Sequence, residues 1–298
     1  MTKSAAAGKK SAVALGLFDG VHLGHRAVIS KAAGMTEKGF IPAVFTFNSS
    51  SISTKHGTVL EYIYTDDYKE LLLRECGTDI IASEDFQDIR DLSGEEFVRR
   101  ILMEKLRAGY VCCGRDFRFG KAASCGISEL AQLGNKYGFE TDIAGDVLSG
   151  GENISSRRIR QLLREGDISA AEAMLGKSYT LRSTVMNGSH IGRTIDFPTV
   201  NQHYAPGQLV PAYGVYHTRT EAEGKVYDSV TNVGVKPTIS GERPPLAETH
   251  ILGFSGDLYG KEISVSFVRR IRPEMKFGSL DELKARISAD IQAVVKSM

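Results

Sequence analysis

The chain has 298 residues, of which 42% are hydrophobic and 24% are charged, and its formal net charge is +1. This composition is ordinary for a globular protein that is long enough for two domains or one large one. The near-neutral charge gives no reason to expect a nucleic-acid or membrane-surface partner, and no apolar run approaches the length of a membrane span.

Cysteine usage and the N-terminal segment bear on the compartment. Cys76, Cys112, Cys113 and Cys125 show no spacing typical of zinc ligands. Cys112 and Cys113 lie in an apolar run, which favours small buried core residues. Residues 1–11 carry lysines but lack the apolar core and cleavage site of a signal peptide, so we expect a short frayed tail. We therefore predict a reducing, cytoplasmic location.

The first half of the chain alternates strand and helix patterns. Apolar runs typical of buried strands occur at residues 12–17, 41–47, 79–82, 110–113 and 141–144. Segments with helical spacing separate these runs, and one of them begins with the capping box Ser93-Gly-Glu-Glu96. The alternation predicts a parallel sheet built from β-α-β units.

The first apolar run is followed by a junction that suggests a phosphate site. The chain turns at Asp19-Gly20 and then shows helical spacing from about His22. The first turn of such a helix presents unpaired N–H groups and the positive end of its dipole, which suits an anion. His22 and His25 share a helical face, and Gly24 between them permits close approach. Two histidines at this spacing also occur by accident on surface helices.

Two further motifs in the first half carry arginines beside glycines or serines. Residues 114–120 place two arginines and two phenylalanines between glycines just after a predicted strand, where open α/β sheets bind ligands. Residues 154–160 open a helix with Ser155 and Ser156, which either cap the helix or bind phosphate, followed by Arg160. A solvated basic loop and a capped surface helix are the alternatives from the residues alone.

The second half has a different pattern of secondary structure, in which predicted strands are separated by turns. These patterns cover residues 214–220, 226–233, 248–252 and 262–268, without long helices between them, and predict a small antiparallel barrel. Ser279-Leu-Asp-Glu282 is a capping box for a closing helix. Its apolar stripe is predicted to belong to the core and comprises Leu280, Leu283, Ile287, Ile291 and Val294.

The segment 188–201 carries the strongest pattern of the second half. Glycines permit a loop to wrap phosphates, and the Thr199 hydroxyl with the Asn201 amide oxygen offers hard ligands for magnesium. A Pro-Thr-x-Asn tetrapeptide also occurs in ordinary turns, so these four residues carry little weight in isolation.

These motifs together resemble a known family. Gly-x-Phe-Asp-Gly-x-His-x-Gly-His at 16–25 resembles the signature of nucleotidyltransferases, and Asp-Phe-Arg-Phe-Gly at 116–120 matches their FMN adenylyltransferase branch. The segment 188–201 and the motifs after it resemble riboflavin kinases. The whole chain therefore resembles the bifunctional bacterial riboflavin kinase/FMN adenylyltransferases.

The resemblance implies a fold, a domain division and two reactions. We expect a Rossmann-like nucleotidyltransferase domain with a parallel sheet over residues 1–178, and an antiparallel β-barrel kinase domain with a closing C-terminal helix over 179–298. The kinase would phosphorylate riboflavin to FMN with ATP, releasing ADP, and the adenylyltransferase would convert FMN and ATP to FAD and pyrophosphate. Mg²⁺ is the implied metal, and neither nucleic acid nor a membrane is an implied partner.

The resemblance also implies residue roles. The implied catalytic residues are Glu248, as the base of the kinase, with His22 and His25 in the adenylyltransferase, and the implied metal ligands are Thr199 and Asn201. The implied ATP and phosphate contacts are Gly16, Phe18, Asp19, Gly20, Gly24, Ser155, Ser156, Arg160, Gly188, Gly192 and Arg193. The implied flavin contacts are Asp116, Phe117, Arg118, Phe119, Asn232 and Arg272.

Several positions depart from the family pattern and keep alternatives open. Leu17 stands where asparagine is usual, residues 48–51 replace a segment with two prolines, and Arg157 replaces a threonine. Arg182 and Asp196 stand where glycine is usual. The alternatives are a riboflavin kinase with an impaired adenylyltransferase domain, a flavin-binding regulator, or another nucleotidyltransferase. An oligonucleotide-binding barrel finds little support, because the charge is neutral and an aromatic platform is absent from the sequence.

Overall fold

A computed structural model describes residues 8–52, 54–55, 58–59, 61–187, 197–235 and 244–297. The chain divides into two compact units, Met1–Ser156 and Arg157–Met298. The sequence-based boundary after residue 178 stays a prediction. By their contacts, the two helices that precede residue 178 belong with the second unit.

In the described part of the first unit, five parallel strands form the central sheet in the order β5-β2-β1-β6-β7. The strands of this unit are β1 Ser11–Leu15, β2 Ile41–Phe47, β3 Thr54–Lys55, β4 Thr58–Val59, β5 Ile80–Glu84, β6 Ala108–Gly114, β7 Glu140–Ala144, β8 Leu148–Ser149 and β9 Glu152–Asn153. Each apolar run of the first half therefore forms a strand of one parallel sheet, which confirms the predicted fold class.

Helices connect these strands and cover the sheet. They are α1 Leu23–Gly34, α2 Ser49–Ile52, α3 Asp66–Glu75, α4 Phe86–Ile89, α5 Gly94–Phe97 and α6 Ile127–Tyr137. Ser93 and Glu96 form the predicted capping box at the start of α5. The helix then continues over Val98–Lys105 with π-helical turns, and the N–H of Leu106 donates to the carbonyl of Ile101 at 3.0 Å.

The middle strands of this sheet are buried on both faces, as the continuous apolar runs require. Every residue of β1 is buried, and Cys112 and Cys113 on β6 are fully buried, which confirms their assignment to the core. Burial raises the pKa of each of these two thiols to about 12. The four cysteines, all within the described residues, are free thiols.

The second unit begins with the helices α7 Ser156–Glu165 and α8 Ile168–Leu175. The first residue of α7, Ser156, is the last residue of the first unit. Six antiparallel strands follow in its described part, in the order β10-β15-β12-β13-β14-β11. They are β10 Thr180–Thr184, β11 Val200–His203, β12 Gly214–Ala222, β13 Lys225–Gly234, β14 Leu246–Ile251 and β15 Glu262–Pro273. This confirms the predicted small antiparallel barrel.

Side-chain hydrogen bonds close and fill the barrel. The amide nitrogen of Gln202 on β11 donates to the carbonyls of Ser183 and Ile263, at 2.9 and 3.1 Å, and so joins the two ends of the sheet order. Inside, the hydroxyl of Thr231 bonds to those of Thr218 and Thr249 at 2.7 and 2.9 Å. The barrel interior therefore contains a series of threonine hydroxyls whose hydrogen bonds are made, as well as apolar packing.

The closing helix α9 covers Leu280–Val295. The prediction that its whole apolar stripe belongs to the core is wrong in part. Val294 is buried and Ile291 packs against the barrel, but Leu280 is 60% exposed. Leu280 is the first residue of the helix, and the apolar contacts come from its C-terminal end. The amphipathic period identified the helix but could not show where along its length the barrel surface ends.

Candidate active sites

The loop between β1 and α1 has an unusual backbone. Phe18, Gly20 and Val21 have positive φ angles of 51°, 83° and 41°. Such angles strain residues that carry a Cβ, and strain of this kind is found at functional sites. The N–H of Val21 donates to the carbonyl of Phe18 at 3.1 Å, which closes the turn.

His22 and His25 lie together at the start of α1, as their spacing predicted. His22 is the N-cap residue, and its Nδ1 accepts a hydrogen bond from the N–H of His25 at 3.2 Å. The two rings stack with centroids 3.5 Å apart. Within the described chain, the buried Nδ1 of His25 has no hydrogen-bond partner. This pair therefore offers polar ring atoms at a positively polarised helix end.

The electrostatics of His25 define what it can offer. Burial, and then the neighbouring His22, hold the pKa of His25 well below its ordinary value. His25 is therefore neutral near pH 7, and it can donate one N–H bond to an oxygen atom but does not supply a positive charge.

Two glycines, Gly16 in this loop and Gly24 in the first turn of α1, are required by the close approach of aromatic rings. A Cβ on Gly24 would lie 3.2 Å from the Nδ1 and Cε1 atoms of His22. A Cβ on Gly16 would lie 2.9 Å from the ring of Phe18. The histidine stack and the strained turn both therefore depend on the absence of a side chain at these positions.

Asp19 and Ser156 hold the same loop in place. The Oδ1 atom of Asp19 accepts a hydrogen bond from the N–H of Ile63 at 2.8 Å, and its carbonyl accepts one from the Ser156 hydroxyl, also at 2.8 Å. Leu17 is 48% exposed, and its carbonyl accepts a bond from the Thr46 hydroxyl at 2.8 Å. The phosphate-binding roles of Asp19, Gly20 and Ser156 stay predictions, as does that of Ser155.

The loop after β6 occupies the same edge of the sheet, because β6 is the parallel neighbour of β1. Asp116 and Arg118 are exposed. Phe119 is buried against Phe97, with centroids 5.5 Å apart, and Phe117 stacks on it at 5.8 Å. Phe119 therefore anchors the loop in the core, and the flavin contacts predicted for residues 116–119 stay predictions.

A charged cluster lies at the C-terminal end of β2, and the sequence analysis did not predict it. The nearly buried ammonium of Lys69 lies 2.8 Å from Asp66 Oδ1 and donates to the carbonyl of Phe47 at 2.7 Å. Asp66 also accepts bonds from the N–H and hydroxyl of Ser49. Burial alone would raise the pKa of Asp66, but the bonds and charge of Lys69, with those of Ser49, lower it. These contacts hold the segment that lacks the family's prolines.

In the second unit, residues from separate motifs form one row across the barrel. Asn201 on β11 pairs with Glu248 on β14, which pairs with Asn232 on β13. The row continues through Val215 on β12 to Arg272 on β15. Directly paired residues point to the same face, with Cβ atoms about 4.5–5.5 Å apart. The structure therefore brings together four side chains that the sequence predicted separately.

Arg272 has a partner that the sequence did not indicate. Its Nε lies 3.1 Å from both carboxylate oxygens of Asp290 on α9, and its NH2 donates to Oδ2 at 2.8 Å. The two side chains are only 9% and 3% exposed. This buried ion pair attaches the closing helix to the barrel, and the flavin contact predicted for Arg272 stays a prediction.

The segment before β11 is held by a histidine. Nδ1 of His250 lies 2.8 Å from the carbonyl of Pro198, and its ring packs edge-on against Phe197, with centroids 5.7 Å apart. Thr199 follows Pro198 directly. The predicted phosphate contacts Gly188, Gly192 and Arg193, with the family departure Asp196, lie outside the described residues.

The remaining predicted residues lie on α7 and beside it. Arg160 is half-buried on α7, and Arg157 on the same helix is exposed. The described ranges contain no group of three histidines, cysteines or carboxylates that could hold a metal ion. Among the helices in those ranges, none is both long and apolar enough to cross a membrane.

Comparison with known proteins assigns each half to a family. Residues 4–158 match the sequence model of FAD synthetase, and residues 175–298 match that of riboflavin kinase. The bifunctional riboflavin kinase/FMN adenylyltransferase of Escherichia coli K12 is 35% identical over 288 residues, which cover 93% of this chain and 89% of the relative. The protein of the same name from Bacillus subtilis strain 168 is 33% identical over 294 residues, covering 96% and 92%.

A solved structure supports the same arrangement of elements in both halves. It is described as a macrolide-efflux protein from Streptococcus pneumoniae, is 29% identical, and matches with a TM-score of 0.85 over 97% of this chain and 95% of that chain. The sequence matches extend through both units and nearly the full length of the relatives. The chain therefore belongs to the family of bifunctional riboflavin kinase/FMN adenylyltransferases.

Proposed function

We propose that both halves are active, and that Glu248 and the His22–His25 pair carry out the chemistry. The second half phosphorylates riboflavin to FMN with ATP, and the first half joins the adenylyl group of ATP to FMN, releasing pyrophosphate. The observation that carries the proposal is the row of Asn201, Glu248 and Asn232, because it gathers a carboxylate and two amides from three separate motifs on adjacent strands.

In the kinase half, Glu248 accepts the proton of the ribityl hydroxyl that attacks the γ-phosphorus of ATP. Its half-buried position on β14, a strand paired on both sides, suits this role, because β11 and β13 restrict the movement of its backbone. Asn232 on one side of Glu248 and Asn201 on the other offer amide groups to orient substrates. Asn232 is thereby proposed as a flavin contact.

Mg²⁺ suits the donors present in the second unit. Thr199 and Asn201 are two residues apart and offer a hydroxyl and an amide oxygen, which are hard ligands. Mg²⁺ is usually held by one or two protein oxygens together with substrate phosphates, so a larger cluster of carboxylates is unnecessary. When bound, the metal neutralises charge that develops on the phosphates of ATP.

In the first half, His22 and His25 hold phosphate oxygens of ATP at the start of α1. The nucleophile is the phosphate of FMN, which is already ionised, so the site needs to position groups and stabilise charge rather than remove a proton. The neutral state of His25 fits this role, because a neutral imidazole donates a hydrogen bond to an oxygen. A cytoplasmic location, where ATP and flavins occur and thiols stay reduced, completes the proposal.

Product analysis by chromatography tests the proposal. The purified chain is incubated with ATP, Mg²⁺ and either riboflavin or FMN, and we expect FAD from both. Because the two chemistries lie in different units, His22→Ala should leave FMN as the end product from riboflavin. Glu248→Gln should block FMN formation but preserve conversion of FMN to FAD. Glu221→Gln, at an exposed carboxylate on β12, is the matched control and should affect neither step.

Each outcome bears on a different part of the proposal. Accumulation of FMN without FAD in the unmodified chain would contradict an active first half and would point to the departures at Leu17, residues 48–51 and Arg157. Unchanged FMN formation in Glu248→Gln would contradict its role as the base. Absence of any product from either substrate would overturn the enzymatic proposal and leave a flavin-binding role.

A further inference from the structure

His250 makes contacts immediately before the proposed metal ligands. Its Nδ1 lies 2.8 Å from the carbonyl oxygen of Pro198. Its ring also packs edge-on against Phe197, with centroids 5.7 Å apart. One side chain on β14 therefore contacts two consecutive residues of the segment that leads into Thr199.

The acceptor in this contact determines that Nδ1 is the ring nitrogen that donates. A backbone carbonyl can only accept a hydrogen bond, so Nδ1 of His250 must carry the proton and donate it. The contact is therefore a directed hydrogen bond that fixes the ring orientation, as well as packing between His250 and Phe197.

The position of this bond matters because Thr199 precedes the strand ladder. The register between β11 and β14 runs from the pair Val200 and Thr249 to the pair His203 and Leu246. Thr199 lies one residue before that register begins, and its own N–H belongs to the peptide whose carbonyl His250 holds. The ladder positions Asn201 directly, whereas the residue before the ladder depends on additional contacts for its position.

His250 also lies on the same strand as the proposed base. Glu248 and His250 are two residues apart on β14, so their side chains leave the strand on the same face. Thr249 between them points to the opposite face, where its hydroxyl bonds to Thr231 at 2.9 Å. One strand thus carries both the proposed base and the group that holds the Thr199 segment.

We propose that His250 is a positioning residue of the kinase site, whose Nδ1–H bond to Pro198 holds Thr199 in place for Mg²⁺ and ATP. The inference rests on the proposed function, because it takes Thr199 and Asn201 as the metal ligands. Groups that orient metal ligands from outside the coordination shell typically contribute 10–100-fold in metal affinity or activity. The same range applies to the loss of this hydrogen bond.

Two substitutions at His250 separate its hydrogen bond from its bulk. His250→Leu keeps an apolar side chain but removes the donor. His250→Asn keeps an amide N–H close to the position of Nδ1 and serves as the conservative variant. His203→Leu is the matched control, because His203 is exposed on neighbouring β11 and has no proposed role. All variants are made in the full chain.

Binding of Mn²⁺, used as a paramagnetic probe for Mg²⁺, provides a readout other than activity. Free Mn²⁺ is measured by electron paramagnetic resonance in the presence of ADP, and the site weakened in Asn201→Ala is assigned to the kinase half. We expect His250→Leu to weaken that site by about 10–100-fold and to raise the Mg²⁺ requirement of FMN formation by the same factor. His250→Asn should stay within about threefold of the unmodified chain, and FAD formation from FMN should be unchanged in both.

The outcomes distinguish this inference from the proposed function. If Asn201→Ala weakens Mn²⁺ binding but His250→Leu does not, the positioning role is wrong and the metal site stands. If Asn201→Ala also has no effect, the proposed metal site fails and the inference fails with it. Equal losses in His250→Leu and His250→Asn would show that ring packing, rather than the donated hydrogen bond, is what matters, and would overturn the inference.

Discussion

The buried ion pair between Arg272 and Asp290 allows a stability prediction with a defined magnitude. The substitution Asp290→Leu removes the carboxylate that pairs with a guanidinium whose side chain is only 9% exposed, and among the described residues leaves that guanidinium only the carbonyl of Pro273 as an acceptor. Removing one partner of a buried pair costs about 3–5 kcal/mol, because the remaining charge is left without compensation. Arg286 also lies 3.4 Å from Asp290 Oδ1, but its side chain is 41% exposed, so water compensates its charge when the carboxylate is removed. We therefore expect the loss of the Arg272 pair alone to set the cost, at about 3–5 kcal/mol.

Calorimetry of the full chain measures this effect. The second unit has about 140 residues, and for this size 1 kcal/mol shifts Tm by roughly 3–4 °C. We expect the transition of the second unit to fall by about 10–20 °C in Asp290→Leu. Asp281→Asn, at an exposed carboxylate in the first turn of α9, is the control and should cost at most about 1 kcal/mol.

The double variant Arg272→Met, Asp290→Leu completes the test. Replacing both partners of a buried pair with apolar residues is often neutral, so we expect most of the lost Tm to return. The riboflavin KM of this double variant then reports the predicted flavin contact of Arg272 separately from its structural role. A shift below about 3 °C in Asp290→Leu would refute the reasoning, because it would mean that the ion pair contributes little to stability.

Two further predictions concern the first unit. Because the pKa of Asp66 is lowered in the folded state, its ionised form contributes stability that is present above about pH 4 and is lost as the pH falls through the folded-state pKa. Urea unfolding of the unmodified chain and of Asp66→Asn should therefore differ most at neutral pH and converge in acid, and a constant difference would contradict this. Gly24→Ala should displace the His22 ring and reduce FAD formation from FMN by roughly 10–100-fold, with FMN formation unchanged. Gly34→Ala, where an added Cβ meets nothing within 4 Å, is its control, and equal rates in the two variants would rule out the steric argument.

Local patterns in the chain predicted the secondary structure of both units well. The apolar runs of the first half form the parallel strands, since strands buried on both faces need continuous apolar residues. The alternation in residues 262–268 lies within β15, where Ile263, Val265 and Phe267 are buried. The spacing of His22 and His25 likewise predicted their shared helical face. These features depend on residues close in sequence, so the sequence contains their signal.

Contacts between distant segments had no such signal. The partner of Arg272 is an aspartate on the closing helix, where the periodic pattern predicted only an apolar stripe. The sequence did not indicate that the ammonium of Lys69 reaches the carbonyl of Phe47. It also did not indicate that His250 bonds to the carbonyl of Pro198. Each of these contacts depends on which strands become neighbours and in which register, and that is decided by packing of the whole unit.

The sequence by itself determined the class of each half, the family and the identity of the chemical groups, because strand and helix periods and motif residues are local properties. Only the tertiary structure decided that Asn201, Glu248 and Asn232 form one row, because a register shift of one residue would turn a strand's side chains to the opposite face. Register depends on the sum of many long-range contacts, and no single motif encodes it.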